Sequence, residues 1–485
     1  MAVRRILMLI LLCAVTSVQA SPRTDPTTGR AVFTGATMPH ATAIGLDPAA
    51  LGLGDLDEIY VAITDVIDQI HVDLDRLAQG DLQSPGARVR DVELSPGAML
   101  AFIYHLAGDR ATLGFEARTN PPESFPSDRN ALRYHTLGDG ERDWLLSVGA
   151  SFKATNELFF GASLSHQNTF LRLRYARDTA LESGLTPGAT GRGIGGDCGA
   201  GGPCTLADPR ATELYDVDVR SPALATSNLR VNIGVVYELV RDVWIGVAYH
   251  TPPGFAVQTE LAGHVAVTRA PRDIARDGGE DPVIRGQSVV EIQFPASVDA
   301  ELRARLPIQL DLHVGGRWED LSRLQTYDVR TYGSTLPSHG IPEWTERPRG
   351  MHDAFALWAG VEQVDTGQPW LGGTRLGFET SSVSAARTSP LTIAPTSLTL
   401  DLGGQRRIGR NLIVQLSYGL QYFPTVNARP SAFDPGDQVD CIASGYDYTK
   451  PACRAVREGY ALPSAAGDYE RIEHALRIGL RYELH

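Results

Sequence analysis

The 485-residue chain carries 44 basic against 57 acidic side chains, a formal charge of −13 at pH 7. That excess argues against nucleic acid as a partner, because phosphate binding rests on a surplus of Lys and Arg. Hydrophobic residues make up 43% of the chain, yet beyond residue 20 no run reaches the roughly 18 apolar residues that a transmembrane helix needs.

Residues 1–20 read as an export signal: Arg4 and Arg5 precede the apolar run Ile6 to Val15, and Val18-Gln19-Ala20 is a small-residue cleavage pattern. Cys13 follows Leu12 rather than a small residue, which argues against a lipoprotein. The next distinctive stretch, Gly29 to Leu51, is rich in small residues and mostly uncharged. It ends in Asp47-Pro48-Ala49-Ala50-Leu51. There Asp can cap a helix, Pro at the first helical position loses no hydrogen bond, and Ala favours the turn that follows.

From residue 57 onward the chain alternates with period two. Leu412, Val414, Leu416, Tyr418, Leu420 and Tyr422 share one face, with Gln415, Ser417, Gly419 and Gln421 on the other. His474, Leu476, Ile478, Leu480, Tyr482 and Leu484 oppose Glu473, Arg477, Arg481 and Glu483. Leu229, Val231, Ile233, Val235 and Tyr237 oppose Arg230, Asn232 and Gly234, and Ile308, Leu310, Leu312 and Val314 oppose Gln309, Asp311 and His313. Phe294, Ala296, Val298, Ala300 and Leu302 read as one apolar face, with Pro295 on the polar one. A strand with lipid on one side and a lumen on the other needs this pattern.

Strands are predicted near 57–72, 96–107, 110–119, 141–153, 157–176, 225–239, 242–269, 286–304, 307–331, 353–364, 369–383, 393–408, 410–424 and 470–484. That is about fourteen, an even number as single-chain bacterial barrels require. Aromatic residues near strand ends, Trp144, Tyr237, Tyr249, Tyr422 and Tyr482, suit a membrane interface. A soluble β-sandwich or an exported solenoid would also alternate, but the number of segments and their aliphatic outer faces favour an all-β transmembrane barrel. Tight turns at 239–242 and 408–410 read as periplasmic, and the long connections 177–224 and 425–469 as extracellular.

Those long connections hold the remaining cysteines, Cys198 with Cys204 and Cys441 with Cys453, and neither spacing is that of a zinc site. Four cysteines allow three pairings. Proximity in sequence favours Cys198–Cys204 and Cys441–Cys453, and export makes disulfides available. No catalytic pattern emerges: among twelve histidines none forms a zinc-protease HExxH, no Gly-Xaa-Ser-Xaa-Gly elbow is present, and Gly191 to Gly202 lacks the Lys-Ser/Thr of a phosphate loop. Asp277, Glu280 and Asp281 form an acidic loop without EF-hand spacing. Inward charges such as Arg375, Glu379, Glu473, Arg477 and Arg481 read as cross-strand pairs filling a lumen. No enzyme activity, cofactor or metal is expected.

The order of these features resembles the FadL-type (FadL/TodX-like) outer-membrane transporters of fatty acids and hydrocarbons. Asp47-Pro48-Ala49 takes the place of that family's Asn-Pro-Ala hatch motif. Val231-Asn232-Ile233-Gly234-Val235-Val236-Tyr237, followed by Trp244-Ile245-Gly246-Val247-Ala248-Tyr249-His250-Thr251-Pro252, is similar to its strand, turn and strand, and Phe294-Pro295-Ala296-Ser297-Val298 to its Pro-containing strand. The resemblance implies a hatch over residues 21–55 inside a barrel over 56–485. It implies passive, monomeric uptake of a hydrophobic small molecule across a Gram-negative outer membrane, in contact with its lipid, with sideways exit at a kinked strand. Asn120-Pro121-Pro122 is the candidate irregularity for that exit. The alternative is a general or structural porin with no hydrophobic specificity.

Overall fold

The computed structural model describes residues 32–484 apart from 76, 80–81, 85, 107–109, 121–130, 139, 179–211, 224, 257, 277, 280, 365–368 and 435. The export signal, Pro121, Pro122, Cys198, Cys204, Asp277 and Glu280 therefore lie outside the described residues.

Five strands run unbroken: β1 (Asp57–Leu74), β2 (Ala87–His105), β3 (Ala111–Thr119), β4 (Glu141–Lys153) and β5 (Leu158–Asp178). The next five each run as two segments. They are β6 (Thr212–Arg220 and Leu229–Val240), β7 (Val243–His250 and Thr259–Thr268), β8 (Val283–Ile292 and Ser297–Leu306), β9 (Leu310–Glu319 and Thr326–Tyr332) and β10 (Trp344–Pro348 and Ala354–Gln363). Then follow β11 (Trp370–Glu379), β12 (Ser397–Ile408), β13 (Leu412–Asn427) and β14 (Gly467–Leu484). Neighbours are antiparallel, and β14 pairs with β1 from Asp57↔Leu484 to Leu74↔Gly467, closing a barrel of 14 strands. Closure leaves no edge along that seam, as a sheet in hydrocarbon requires.

Both segments of β6 pair with β5, Leu158 opposite Tyr237 at one end and Asp178 opposite Thr212 at the other, so the two are one interrupted strand. Three of the five interruptions contain prolines (Pro222; Pro252 and Pro253; Pro295), which cannot donate to a ladder. The structure corrects the predicted boundaries here. Thr212–Arg220, expected in a loop, is strand, and β2 begins at Ala87 rather than near 96. Phe294 does not share the outer face of Val298 and Leu302. The break at Pro295 shifts the alternation, and Phe294 packs in the interior.

The outer wall changes character along the strands. On the short-turn half the exposed side chains are Phe160, Leu164, Ile233, Val247, Leu302, Val314, Leu357, Leu376, Leu416, Ile478 and others like them. Each would cost about 1.5–3 kcal/mol to hold in water relative to an apolar medium, so this belt faces lipid. On β5 it runs from Phe160 to Phe170, close to the roughly 9–11 residues of a tilted membrane strand. Beyond Phe170 the same face turns charged, with Arg172 Nη2 2.7 Å from Asp216 Oδ2. Above the belt, Gly436–Ala443 and Pro451–Arg457 form two short helices joined by a Cys441–Cys453 disulfide.

Candidate functional site

Residues 32–54 lie inside the barrel. Almost every side chain from Val32 to Leu51 is buried, and Pro48–Leu53 forms a 3-10 turn capped by Asp47, whose Oδ1 accepts the Ala49 N–H at 2.9 Å. The wall makes room with glycine. A Cβ on Gly161 of β5 would overlap the backbone at Ala49, and one on Gly234 of β6 would overlap the Asp47 carboxylate. Gly246 of β7 abuts the same carboxylate, 3.1 Å from its Oδ2 to a built Cβ. The Asp47-Pro48-Ala49 motif and the glycines of the Val231–Tyr237 and Trp244–Pro252 motifs therefore meet at one contact.

Hydrogen bonds fasten the segment around the wall. The Phe33 N–H donates to Glu362 Oε1 at 2.9 Å, the Thr37 hydroxyl to Glu301 Oε1 at 2.6 Å, and the Ala41 N–H to Glu58 Oε1 at 3.3 Å. Ser163 donates to the Ile44 carbonyl at 2.9 Å and Ser151 to the Ala49 carbonyl at 3.0 Å. Arg375 donates to the Thr34 carbonyl. Carboxylates accepting backbone N–H groups are charge-assisted bonds, about twice as strong as neutral ones.

Those carboxylates belong to a charged interior on the short-turn half. His313, fully buried, stands 3.5 Å from both Glu301 and Glu362, and Arg375 Nη2 reaches Glu362 at 2.6 Å. Arg317 lies 3.4 Å from Asp299. Towards the long-loop end, beside Ile393, Arg471 pairs with Asp68 at 2.9 Å and with Glu473. His250 Nε2 is 2.9 Å from Asp299, and its Nδ1 is 2.9 Å from Asn232, which donates to Ser163. His250 thus supports the segment through Asn232 and Ser163.

On the long-loop half apolar side chains dominate the interior, with Arg347, Arg349 and the Arg471–Asp68 pair buried among them. Leu171, Leu173 and Tyr175 of β5, Tyr215, Val217 and Val219 of β6, Leu261, Val265 and Val267 of β7, Val290 and Ile292 of β8, and Tyr327 and Val329 of β9 form one buried cluster with Phe294, Leu321 and Leu391. A second, around Ile70, Val72, Val89 and Tyr469, takes in Leu132 and Ile393 from two inward-folded connections. Along β5 alone the inner face changes from Ser163, Ser165, Gln167 and Thr169 to Leu171, Leu173 and Tyr175.

Sequence reasoning did not find this inner apolar wall, although the signal was present. From Phe160 to Phe170 the apolar residues of β5 occupy even positions, and from Leu171 to Tyr175 odd ones. Among the described residues no group of His, Cys, Asp and Glu could hold a metal ion.

No protein-family model and no curated protein matches the sequence. The fold does have solved counterparts. A Pseudomonas aeruginosa FadL homologue aligns with a TM-score of 0.70 at 15% identity, over 97% of this chain and 99% of that one. This chain has the FadL-type fold. The P. putida toluene transporter TodX aligns at TM-score 0.58 and 14% identity, over 92% of this chain and 94% of that one. The Ralstonia pickettii toluene transporter TbuX aligns at 0.55 and 16%, over 98% and 100%. An apolar outer belt around a charged interior is the pattern of a transmembrane barrel.

Proposed function

We propose that the protein is a monomeric channel for passive uptake of hydrophobic small molecules, long-chain fatty acids or hydrocarbons, across the outer membrane. The observation that carries this reading is the change of the interior from apolar at the long-loop end to charged at the short-turn end, with residues 32–54 lodged in the charged part. A greasy solute leaving water gains by lining up on the apolar wall. It does not gain by entering the charged half, so it needs another way out. Residues 21–55 act in this reading as the hatch, and Asp47, Pro48 and Ala49 as the hinge that seats it against Gly161 and Gly234.

A sideways exit into the bilayer is supported by β2. Its ladder to β3 runs only from Ala98 to His105, and the outward Val92 and Leu94 beyond it are 64% and 63% exposed. A general porin would need a wetted, polar lumen throughout, and the buried cluster on the long-loop half speaks against that.

Val217 and Val265 face each other across β6 and β7 inside that cluster. Replacing both with Glu should bring uptake of a labelled hydrophobic compound close to the rate of a strain lacking the protein, while the barrel keeps its folded, heat-modifiable mobility. An unchanged rate in a folded barrel would remove the apolar wall from the pathway.

A further inference from the structure

On the outside of the wall, three neighbouring strands change from apolar to arginine within one or two rungs of the ladder. On β4 the outward series Phe152, Val148 and Leu146 passes through Trp144 to Arg142. On β5 it passes from Phe160 and Leu164 to Phe170, then to Arg172 and Arg174. On β6 Ile233 and Val231 lie below the interruption, and Arg220 lies just above it. Pairing sets Arg142 directly opposite Phe170 on one side and Arg220 directly opposite it on the other.

Neighbouring strands lie about 4.8 Å apart and successive residues about 3.3 Å along a strand, so Arg142, Arg220 and Arg172 stand around Phe170 within reach of one head group. Arg172 is held by Asp216, Nε to Oδ1 at 2.9 Å and Nη2 to Oδ2 at 2.7 Å, and Asp218 stands opposite Arg172. Arg142 and Arg220 are exposed, and among the described residues no carboxylate pairs with either. Arginines 142, 172, 174 and 220 against Asp216 and Asp218 leave this patch positive on a chain whose total is −13.

An arginine at such a boundary lays its aliphatic stem along apolar surface and carries its guanidinium to the polar edge. The guanidinium forks to two oxygens of a phosphate and is more weakly hydrated than an ammonium. Trp144, edge-on to His166 at 6.1 Å, marks the level where hydrocarbon gives way to head groups. Phe170 continues the lipid-facing belt without a gap, so the molecule above it is the lipid that already covers the belt, and the local charge favours one that bears phosphate.

We propose that Arg142, Arg220 and Arg172 form a site on the outer wall for a phosphate-bearing lipid of the outer leaflet, its head group held by the arginines and an acyl chain lying on Phe170 and the belt below. The site faces away from the lumen and goes beyond the uptake reading; it rests on the outer-membrane placement of the barrel.

Native mass spectrometry of the full-length protein in detergent tests it, with bis-phosphorylated lipid A and the same lipid stripped of both phosphates as probes. The proteins compared are wild type, Arg142→Gln, Arg220→Gln, the double variant, and Arg410→Gln, which removes one exposed charge at the short-turn rim. Wild type and Arg410→Gln should hold the phosphorylated lipid at least about tenfold tighter than the stripped one, the factor that a charge-assisted hydrogen bond supports. Each single variant should lose part of that ratio and the double variant most of it, with the stripped lipid bound as before. The substituted side chains are exposed, so the barrel keeps its folded mobility. A ratio near one in the wild type, or a full ratio in the double variant, would overturn the site. So would loss of the preference in a tenfold excess of inorganic phosphate over lipid, because the arginines would then be reading a free anion. None of these outcomes bears on uptake, since the patch lies outside the passage.

Discussion

Deletion of residues 32–54 is expected to turn an electrically quiet barrel into one that conducts ions. The segment touches β1 to β8 and β10 to β12, and its anchors Glu58, Glu301, Glu362, Arg375, Ser151 and Ser163 are all inward-facing residues of the strands. Fourteen strands enclose a lumen too wide for these side chains alone to fill, since barrels of about eight strands are already filled by theirs. Once the segment is gone, the charged wall around His313, Arg375 and Arg317 becomes a wetted pore. Planar-bilayer recordings of the deleted and intact proteins, both with folded mobility, should show stable single-channel steps only for the deletion. Identical traces would mean that residues 32–54 do not close the passage.

Arg375→Leu should release one end of that segment without removing it. Arg375 is 2% exposed and answers both Glu362 and the Thr34 carbonyl, while Glu362 also accepts the Phe33 N–H. Breaking a buried pair from one side leaves the other charge uncompensated and costs about 3–5 kcal/mol. Local opening at Phe33 to Thr37 should therefore become on the order of a hundredfold more frequent or greater. Hydrogen exchange of these amides is the measurement, with β13–β14 amides as the unaffected reference. Unchanged protection at Phe33 and Thr37 would mean the anchor is elsewhere.

Much of this architecture can be read from the sequence because a strand between lipid and lumen must alternate. Leu412 to Tyr422 and His474 to Leu484 show that alternation uninterrupted, and β13 and β14 lie where it predicts. It is weaker where one strand serves two environments. In β5 the apolar set moves from one face to the other at Phe170 and Leu171, and a reading that asks only for alternation passes over the reversal. In β6 the outer segment Tyr215, Val217 and Val219 alternates with Asp216, Asp218 and Arg220, but with the opposite sense to Val231, Ile233 and Val235 below it. The interruption at Ser221 to Asn228 takes up the difference.

The candidate site divides in the same way. Asp47-Pro48-Ala49 could be noticed locally as a capped turn, and the structure places that cap beside Gly161, Gly234 and Gly246. The partners of the segment could not be read, because Glu301, His313, Glu362 and Arg375 come from four different strands and look like ordinary polar-face residues in each. The arginines at 142 and 220 look like ordinary polar positions in their own strands. Only the pairing of β4, β5 and β6 sets them on either side of Phe170.

The central claim is that a hydrophobic solute crosses the outer membrane through this barrel. Its most direct test is the initial rate at which cells take up radiolabelled oleate and toluene, comparing a strain lacking the protein with the same strain carrying it. The account predicts faster entry of at least one of the two when the protein is present. Equal rates for both solutes with and without the protein would contradict it.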